Sequence, residues 1–341
     1  MRMRTGGRFA RATGLVVAVT LAVGAAACGD DDTAASDGSG GSVDLVAYST
    51  PQEAYADIIE AFKADGHDGV DVSESYGASG DQSRAVEAGQ PADYVAFSLE
   101  PDVNRLVEAD LVADDWNSGQ YHGMVTDSVV VLVVRPGNPK NIESWDDLIE
   151  DDVEVVTPNP FTSGGARWNV MAAYGAQIQQ GRSEDEAQQY LADLFANVIV
   201  QDDTARKSLQ TFSGGAGDVL LAYENEAIFA QQSGEDIEYI VPDDTILIEN
   251  PVALTTGGAD DQAAEDFLDF VYTTDAQRIF ADHGYRPVVE GVAEPNEFPT
   301  PSGLFTIDDF GGWSEVSSTF FDPEDSVMAD VERGIGVSTG G

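Results

Sequence analysis

Positive charge is scarce in this 341-residue chain: 16 Lys and Arg stand against 62 Asp and Glu, a formal net charge of −46, and only Lys63, Lys140 and Lys207 are lysines. Binding to nucleic acid or docking on anionic lipid needs a basic surface that displaces counterions from phosphates, so neither is expected here. Cysteine occurs once, at Cys28, which excludes disulfides within the chain and thiolate metal sites. His67, His122 and His283 are the only histidines and lie far apart, without ligand-like spacing. Neither a zinc site nor a histidine-based triad is expected, and no cofactor is implied. Long apolar runs are also missing at the start: Leu15 to Ala27 is an uncharged run of 13 residues, short of the roughly 20 a helix needs to span a bilayer.

What is present argues for a folded, exported protein. The chain is 42% apolar and 9% aromatic, above the composition at which charge repulsion keeps a chain disordered. Its length favours two lobes over a single core. Arg2, Arg4, Arg8 and Arg11 precede the uncharged run, and Ala25, Ala26 and Ala27 end it, so residues 1–27 read as a cleaved export signal. Residues 28–42 are acidic and rich in Gly and Ser, as in a flexible tether, and the folded body should begin near Val43.

Along the body, strand-like and helix-like patterns alternate. Val43 to Ala47 is a short apolar strand, and Tyr55, Ile58, Ile59 and Phe62 then recur at helical spacing. Further strands are expected at Val70 to Ser73, Tyr94 to Phe97, Val125 to Val134, Val153 to Thr157, Val198 to Val200, Asp218 to Tyr223, Tyr239 to Val241 and Thr245 to Ile248. Helices are expected at Asp81 to Ala88, Asp102 to Glu108, Ser163 to about Gln180, Glu184 to Ala196, Ala205 to Thr211 and Asp260 to Ala281. This order predicts an α/β fold with largely parallel sheets.

In such sheets ligands gather at the carboxyl ends of strands, where helices begin. Three junctions combine small residues or hydroxyls with a helix start: Gly77 to Gly80, Thr162 to Gly165, and Thr204 to Arg206. A helix N-terminus carries unpartnered N–H groups and partial positive charge, which suits an anion. Ser79 falls where a helix cap would sit. Ser163 with Gly164 and Gly165 is the most informative junction, because two glycines weaken a helix and need a reason.

The segment Thr157 to Asn169 (TPNPFTSGGARWN) resembles the signature of the periplasmic sulfate- and thiosulfate-binding proteins of ABC importers. Ser75 to Gln82, Pro136 to Leu148, Gly217 to Ala227, Arg286-Pro287 and Leu304 to Trp313 continue the similarity in order across the body. The resemblance implies a two-lobed type II periplasmic binding protein fold with the ligand cleft between lobes. Lobe I is expected at 43–130 plus 246–290, lobe II at 131–245, with 291–341 a C-terminal segment packing on the lobes. It implies a non-enzyme that holds sulfate through Ser49 N–H, Ser79, Ser163, the Gly164 and Gly165 N–H groups, Ala205 N–H and Tyr223. Ser49 stands where sulfate binders have an aspartate whose main chain donates, so that role carries over; Tyr223 stands where they have tryptophan, so thiosulfate or a molybdate-like oxyanion is the alternative. Arg167 and Arg206 are expected just behind the donors, with Arg167 pairing across the cleft to Asp102, while Asp202 and Asp203 should point away from the anion. The start of the chain resembles a lipoprotein signal, which implies lipidation at Cys28 and an anchor on the outer face of the cytoplasmic membrane; the importer resemblance implies delivery of the ligand to permease and ATPase subunits, and a monomer is expected.

Sulfate is fully ionised and offers only acceptors, whereas hydrogen phosphate carries an O–H, so a site of donors alone discriminates between them. The net acidity does not exclude a small dianion, because repulsion from surface carboxylates is screened beyond roughly 8–10 Å. It reads as a surface adaptation to a saline exterior. A distant alternative is an extracytoplasmic hydrolase using Glu224 and Glu226, which on a helix would not share a face.

Overall fold

The computed structural model describes residues 40–339. The expected signal at 1–27, Cys28 and most of the tether lie outside the described residues. The chain enters through β1 (Ser42–Tyr48), α1 (Gln52–Phe62), β2 (Asp71–Gly77), α2 (Ser79–Glu87), β3 (Tyr94–Ala96) and α3 (Glu100–Glu108). The apolar stripe of α1 is buried as its spacing requires: Tyr55, Ile58, Ile59 and Phe62 pack with Phe267, Phe270 and Phe280. The long β4 (Met124–Val134) then leads to β5 (Val155–Pro158), α4 (Gly164–Gln179), α5 (Glu184–Ala196), β6 (Val198–Asp202), α6 (Ala205–Ser213), β7 (Val219–Tyr223), α7 (Glu224–Gln232) and β8 (Glu238–Ile240). A second long strand, β9 (Asp244–Leu254), returns the chain to α8 (Gln262–Val271), α9 (Thr274–Asp282) and β10 (Arg286–Pro287). The chain ends in β11 (Gly303–Phe305), α10 (Gly312–Phe320) and α11 (Val327–Ile335).

The strand order β2-β1-β3-β9-β4-β7-β5-β6 resolves into two halves. In one half β1 pairs in parallel with β2 and β3, and in the other β5 pairs in parallel with β6 and β7. Between them β4 and β9 run antiparallel to each other, then diverge: β9 continues beside β3, and β4 beside β7. Two strands are thus shared by both halves, and this is how a two-lobed α/β molecule is joined.

Three differences from the sequence expectation have local causes. Strand β9 extends past Ile248 to Leu254, because Pro251 lies beside the register shift between Met124 and Thr126, where a missing N–H is tolerated. The single helix expected over Asp260 to Ala281 is two, since the Thr273 hydroxyl accepts the N–H of Ala276 and starts α9 afresh. Helix α7 follows β7 with no intervening loop, and its acidic first turn, Glu224 and Glu226, is the signal that marks it. The C-terminal residues also reach inward. Trp313 stacks edge-on against Trp168 at 4.6 Å, and Met328 is fully buried.

Where the two shared strands cross, Asp127 of β4 lies opposite Glu249 of β9 on one side and opposite Arg286 of β10 on the other. The Arg286 guanidinium donates to Glu224 at 2.8 Å and is not paired to Asp127. Burial, reinforced by Glu249, pushes Asp127 up to about 7, against the pull of Arg286. A carboxylate raised in the folded state stabilises when protonated, and that stability is lost as pH rises through its folded value. Asp127→Asn is therefore expected to remove on the order of 1–2 kcal/mol of pH dependence between about pH 5 and about pH 8. Unfolding curves of both proteins across that range check it; parallel pH profiles would refute it.

Candidate functional site

The carboxyl ends of strands from both halves meet around one small cavity. Its wall is built from strand-to-helix junctions: Tyr48, Ser49 and Thr50 before α1; Gly77, Ala78 and Ser79 into α2; Ser98 before α3; Ser163, Gly164 and Gly165 into α4; Thr204 and Ala205 into α6; and Tyr223 into α7. No charged side chain lines it. All seven residues expected from the sequence to be ligand donors are on this wall, brought together from segments as far apart as Ser49 and Tyr223.

The helix starts are left open toward the cavity. Ala78 precedes α2 and cannot cap it with its side chain, and Tyr223 precedes α7 without a capping bond. Ser163 occupies the capping position of α4 yet makes no capping bond, so the first N–H groups of that helix lack a side-chain acceptor. Its own N–H is used by Asn159 O, so its hydroxyl is the group it can offer. At α6 the arrangement differs: the Thr204 hydroxyl accepts the N–H of Lys207, leaving the Ala205 N–H at the helix start. Two glycines follow Ser163, the first because the other half of the molecule comes close and the second because α6 of the same half does. A Cβ on Gly164 would fall 2.6 Å from Ser98 Oγ, and one on Gly165 would fall 3.3 Å from Ala205 Cβ.

Several expectations need correction. Ala78, not Ser79, holds the cap position of α2, and the Ser79 hydroxyl is already engaged. It donates to Asp102 Oδ2 at 2.6 Å and accepts the Ser98 N–H at 3.0 Å, so only the Ser79 backbone remains for a ligand. Asp102 does not pair with Arg167. Its carboxylate is taken by Ser79 and by Arg105, whose Nη1 lies 3.0 Å away. Arg167 instead donates from Nε to Pro160 O and stacks over Phe321, and burial holds its pKa below the ordinary arginine value even though Asp102 is near enough to oppose this.

Arg206 lies behind the cavity. It donates to Thr50 O and to Glu53 on one side and to Glu226 on the other, with Phe229 under its guanidinium. Burial works against the Arg206 charge, but Glu226 and Glu53 outweigh it and raise its pKa. For Glu226 burial is the larger influence and leaves its pKa raised, with Arg206 pulling it down. Glu224 and Glu226 are thus held by different arginines, Arg286 and Arg206, and neither lines the cavity. Asp202 and Asp203 are likewise absent from the wall, and Asp203 pairs with Lys207.

Sequence reasoning missed Ser98. The only signal was a hydroxyl residue closing the apolar run Tyr94 to Phe97 at the carboxyl end of a strand. Its side chain meets the Tyr223 hydroxyl at 2.7 Å, and its carbonyl accepts the Trp168 Nε1–H at 2.9 Å.

A cavity of uncharged donors set between two α/β lobes that share a pair of crossing strands defines a solute-binding protein. The profile of the bacterial extracellular solute-binding protein family matches residues 43–286, and the chain belongs to that family. It is 41% identical to a sulfate-binding protein of Synechococcus elongatus over 92% of this chain and 93% of that protein. It is 33% identical to a thiosulfate-binding protein of Escherichia coli over 80% of this chain and 86% of the relative. The solved structure of the sulfate-binding protein SubI from Mycobacterium tuberculosis is 43% identical and superposes with a TM-score of 0.78, covering 82% of this chain and 99% of that one. Among the described residues, no helix is long and apolar enough to cross a membrane.

Proposed function

We propose that this protein is the extracytoplasmic sulfate-binding component of an ABC importer, which captures the dianion in the cavity and hands it to a permease with its ATPase. The observation that carries this reading is the cavity wall: helix starts and hydroxyls converge on it, and no charged side chain lines it. The ligand set is Ser49, Ser79, Gly164, Gly165 and Ala205 through their N–H groups, with Ser163 and Tyr223 through their hydroxyls. A hydrogen bond to a charged group contributes about 1.5–3 kcal/mol, so a handful of them offsets desolvation and leaves a micromolar or tighter complex. Relatives that carry the names sulfate-binding and thiosulfate-binding support the same ligand class.

In this reading lobe I comprises 43–130 with 246–290, lobe II comprises 131–245, and 291–341 pack on both. The protein acts as a monomer, without catalysis or a bound cofactor, and Cys28 carries the lipid that holds it at the outer face of the cytoplasmic membrane.

Calorimetry with sulfate, thiosulfate, molybdate and phosphate tests the ligand. Sulfate is expected to bind with a micromolar or lower Kd, and phosphate about 100-fold more weakly, because its proton would find no carboxylate acceptor on a wall of N–H groups and hydroxyls. Equal affinity for phosphate would overturn the donor-only site. Ser163→Ala removes one hydroxyl donor and is expected to weaken sulfate about tenfold or more; unchanged affinity would remove Ser163 from the ligand set.

A further inference from the structure

Ser98 touches both halves of the molecule at the cavity. Its N–H donates to Ser79 Oγ at 3.0 Å on its own side, while its carbonyl accepts from Trp168 of α4 and its hydroxyl meets Tyr223 at the end of β7. Ser98 is 1% exposed and Tyr223 1%. The backbone of Ser98 is therefore fixed from two directions, and the contact with the Tyr223 hydroxyl selects where its Oγ points.

Two hydroxyls in contact hold two protons between them. One is spent on the bond they share, and the other is left over whichever of the two donates. Both residues line the same cavity, which gives the remaining proton an outlet toward a ligand there. We propose that the Ser98–Tyr223 hydroxyl pair is a specificity-determining element. It forms across the cleft on closure and presents one O–H donor to the bound anion, from either of two oxygens 2.7 Å apart. This inference rests on the anion-binding reading above. Tyr223 retains its proton throughout the physiological range, since burial pushes its pKa well above the ordinary tyrosine value despite the Ser98 bond.

The choice of donor position matters for tetrahedral anions of unequal size. A sulfate presents four equivalent oxygens, whereas thiosulfate replaces one with a larger sulfur that accepts hydrogen bonds weakly. A pair that donates from either end accommodates both orientations.

The test is calorimetry of sulfate and of thiosulfate with the wild type, Ser98→Ala, Tyr223→Phe and the double variant. Each single change breaks the cross-cleft bond but leaves one hydroxyl free to donate, so each is expected to weaken sulfate by about 3- to 10-fold. Each also confines the donor to one position, and the two single variants are expected to shift the sulfate-to-thiosulfate affinity ratio in opposite directions. The double variant loses the donor as well and is expected to bind sulfate about 100-fold or more weakly, beyond the product of the singles. A mere brace between lobes predicts otherwise: once the bond is gone, removing the second hydroxyl costs nothing further. A double variant no weaker than the singles, or a ratio unchanged in both singles, would overturn the inference. A wild type that binds neither anion would instead defeat the underlying functional reading.

Discussion

Gly164→Ala is expected to cost sulfate affinity about 10- to 100-fold while leaving the ligand-free protein as stable as the wild type. The added Cβ would stand 2.6 Å from Ser98 Oγ, 2.7 Å from Ser98 Cβ and 3.0 Å from Leu99 Cγ. Carbon atoms pack at about 3.5–4.0 Å, so the two sides must separate by roughly 1 Å. Ser98 cannot yield by rotating its side chain, because its Cβ is among the clashing atoms and its backbone is held by Ser79 and Trp168. Forcing an extra methyl into such a contact costs about 1–3 kcal/mol, charged to the closed form alone. Gly164 is the first residue of α4, where the helix itself does not oppose alanine. Affinity should therefore fall while the ligand-free stability holds, which separates a closure defect from general misfolding. Calorimetry and thermal unfolding on one preparation decide the matter; affinity within twofold of wild type would show that the contact does not govern closure.

The second large effect is expected on stability. Arg206→Met should lower the unfolding free energy by about 3–5 kcal/mol, because it leaves a buried carboxylate without its partner. Glu226 is 1% exposed and receives two hydrogen bonds from that guanidinium, at 3.0 Å from Nε and 2.9 Å from Nη2. Burial already raises the Glu226 pKa with Arg206 in place, and removing the arginine removes the main opposing influence. The carboxyl would then take up a proton on folding, so the deficit should shrink as pH falls and grow as pH rises. Glu226→Gln in the same chain should recover most of the loss, since the uncompensated charge is gone. Failure of the second change to rescue the first would place the cost elsewhere, in the lost contacts to Thr50 O, Glu53 and the Phe229 ring.

The helix starts at Ser163 and Ala205 were legible because each is a local event. A small or hydroxyl residue before a periodic run announces the start of a helix, whatever the rest of the chain does. Helix α7 is harder to read, because β7 runs into it without a loop and its acidic first turn also reads as a carboxylate pair. The Asp102–Arg167 pairing could not have been judged from sequence. Whether Asp102 prefers Arg105 or Arg167 depends on which guanidinium the fold brings within about 3 Å, and Arg105 sits one helical turn away on the same helix. Ser98 carried too faint a local signal, since all of its importance lies in contacts to residues up to 125 positions distant.

By itself the sequence determined the α/β alternation and the family resemblance carried by Thr157 to Asn169. These follow from composition and from periodicities that act over a few residues. Only the tertiary structure decided which hydroxyls remain free for a ligand. Ser79 and Ser163 look alike as serines at helix starts, yet Asp102 and Ser98 take up the first and nothing caps with the second. A hydroxyl has one proton to give, and its destination is set by the nearest buried acceptor, which is a property of the packed molecule.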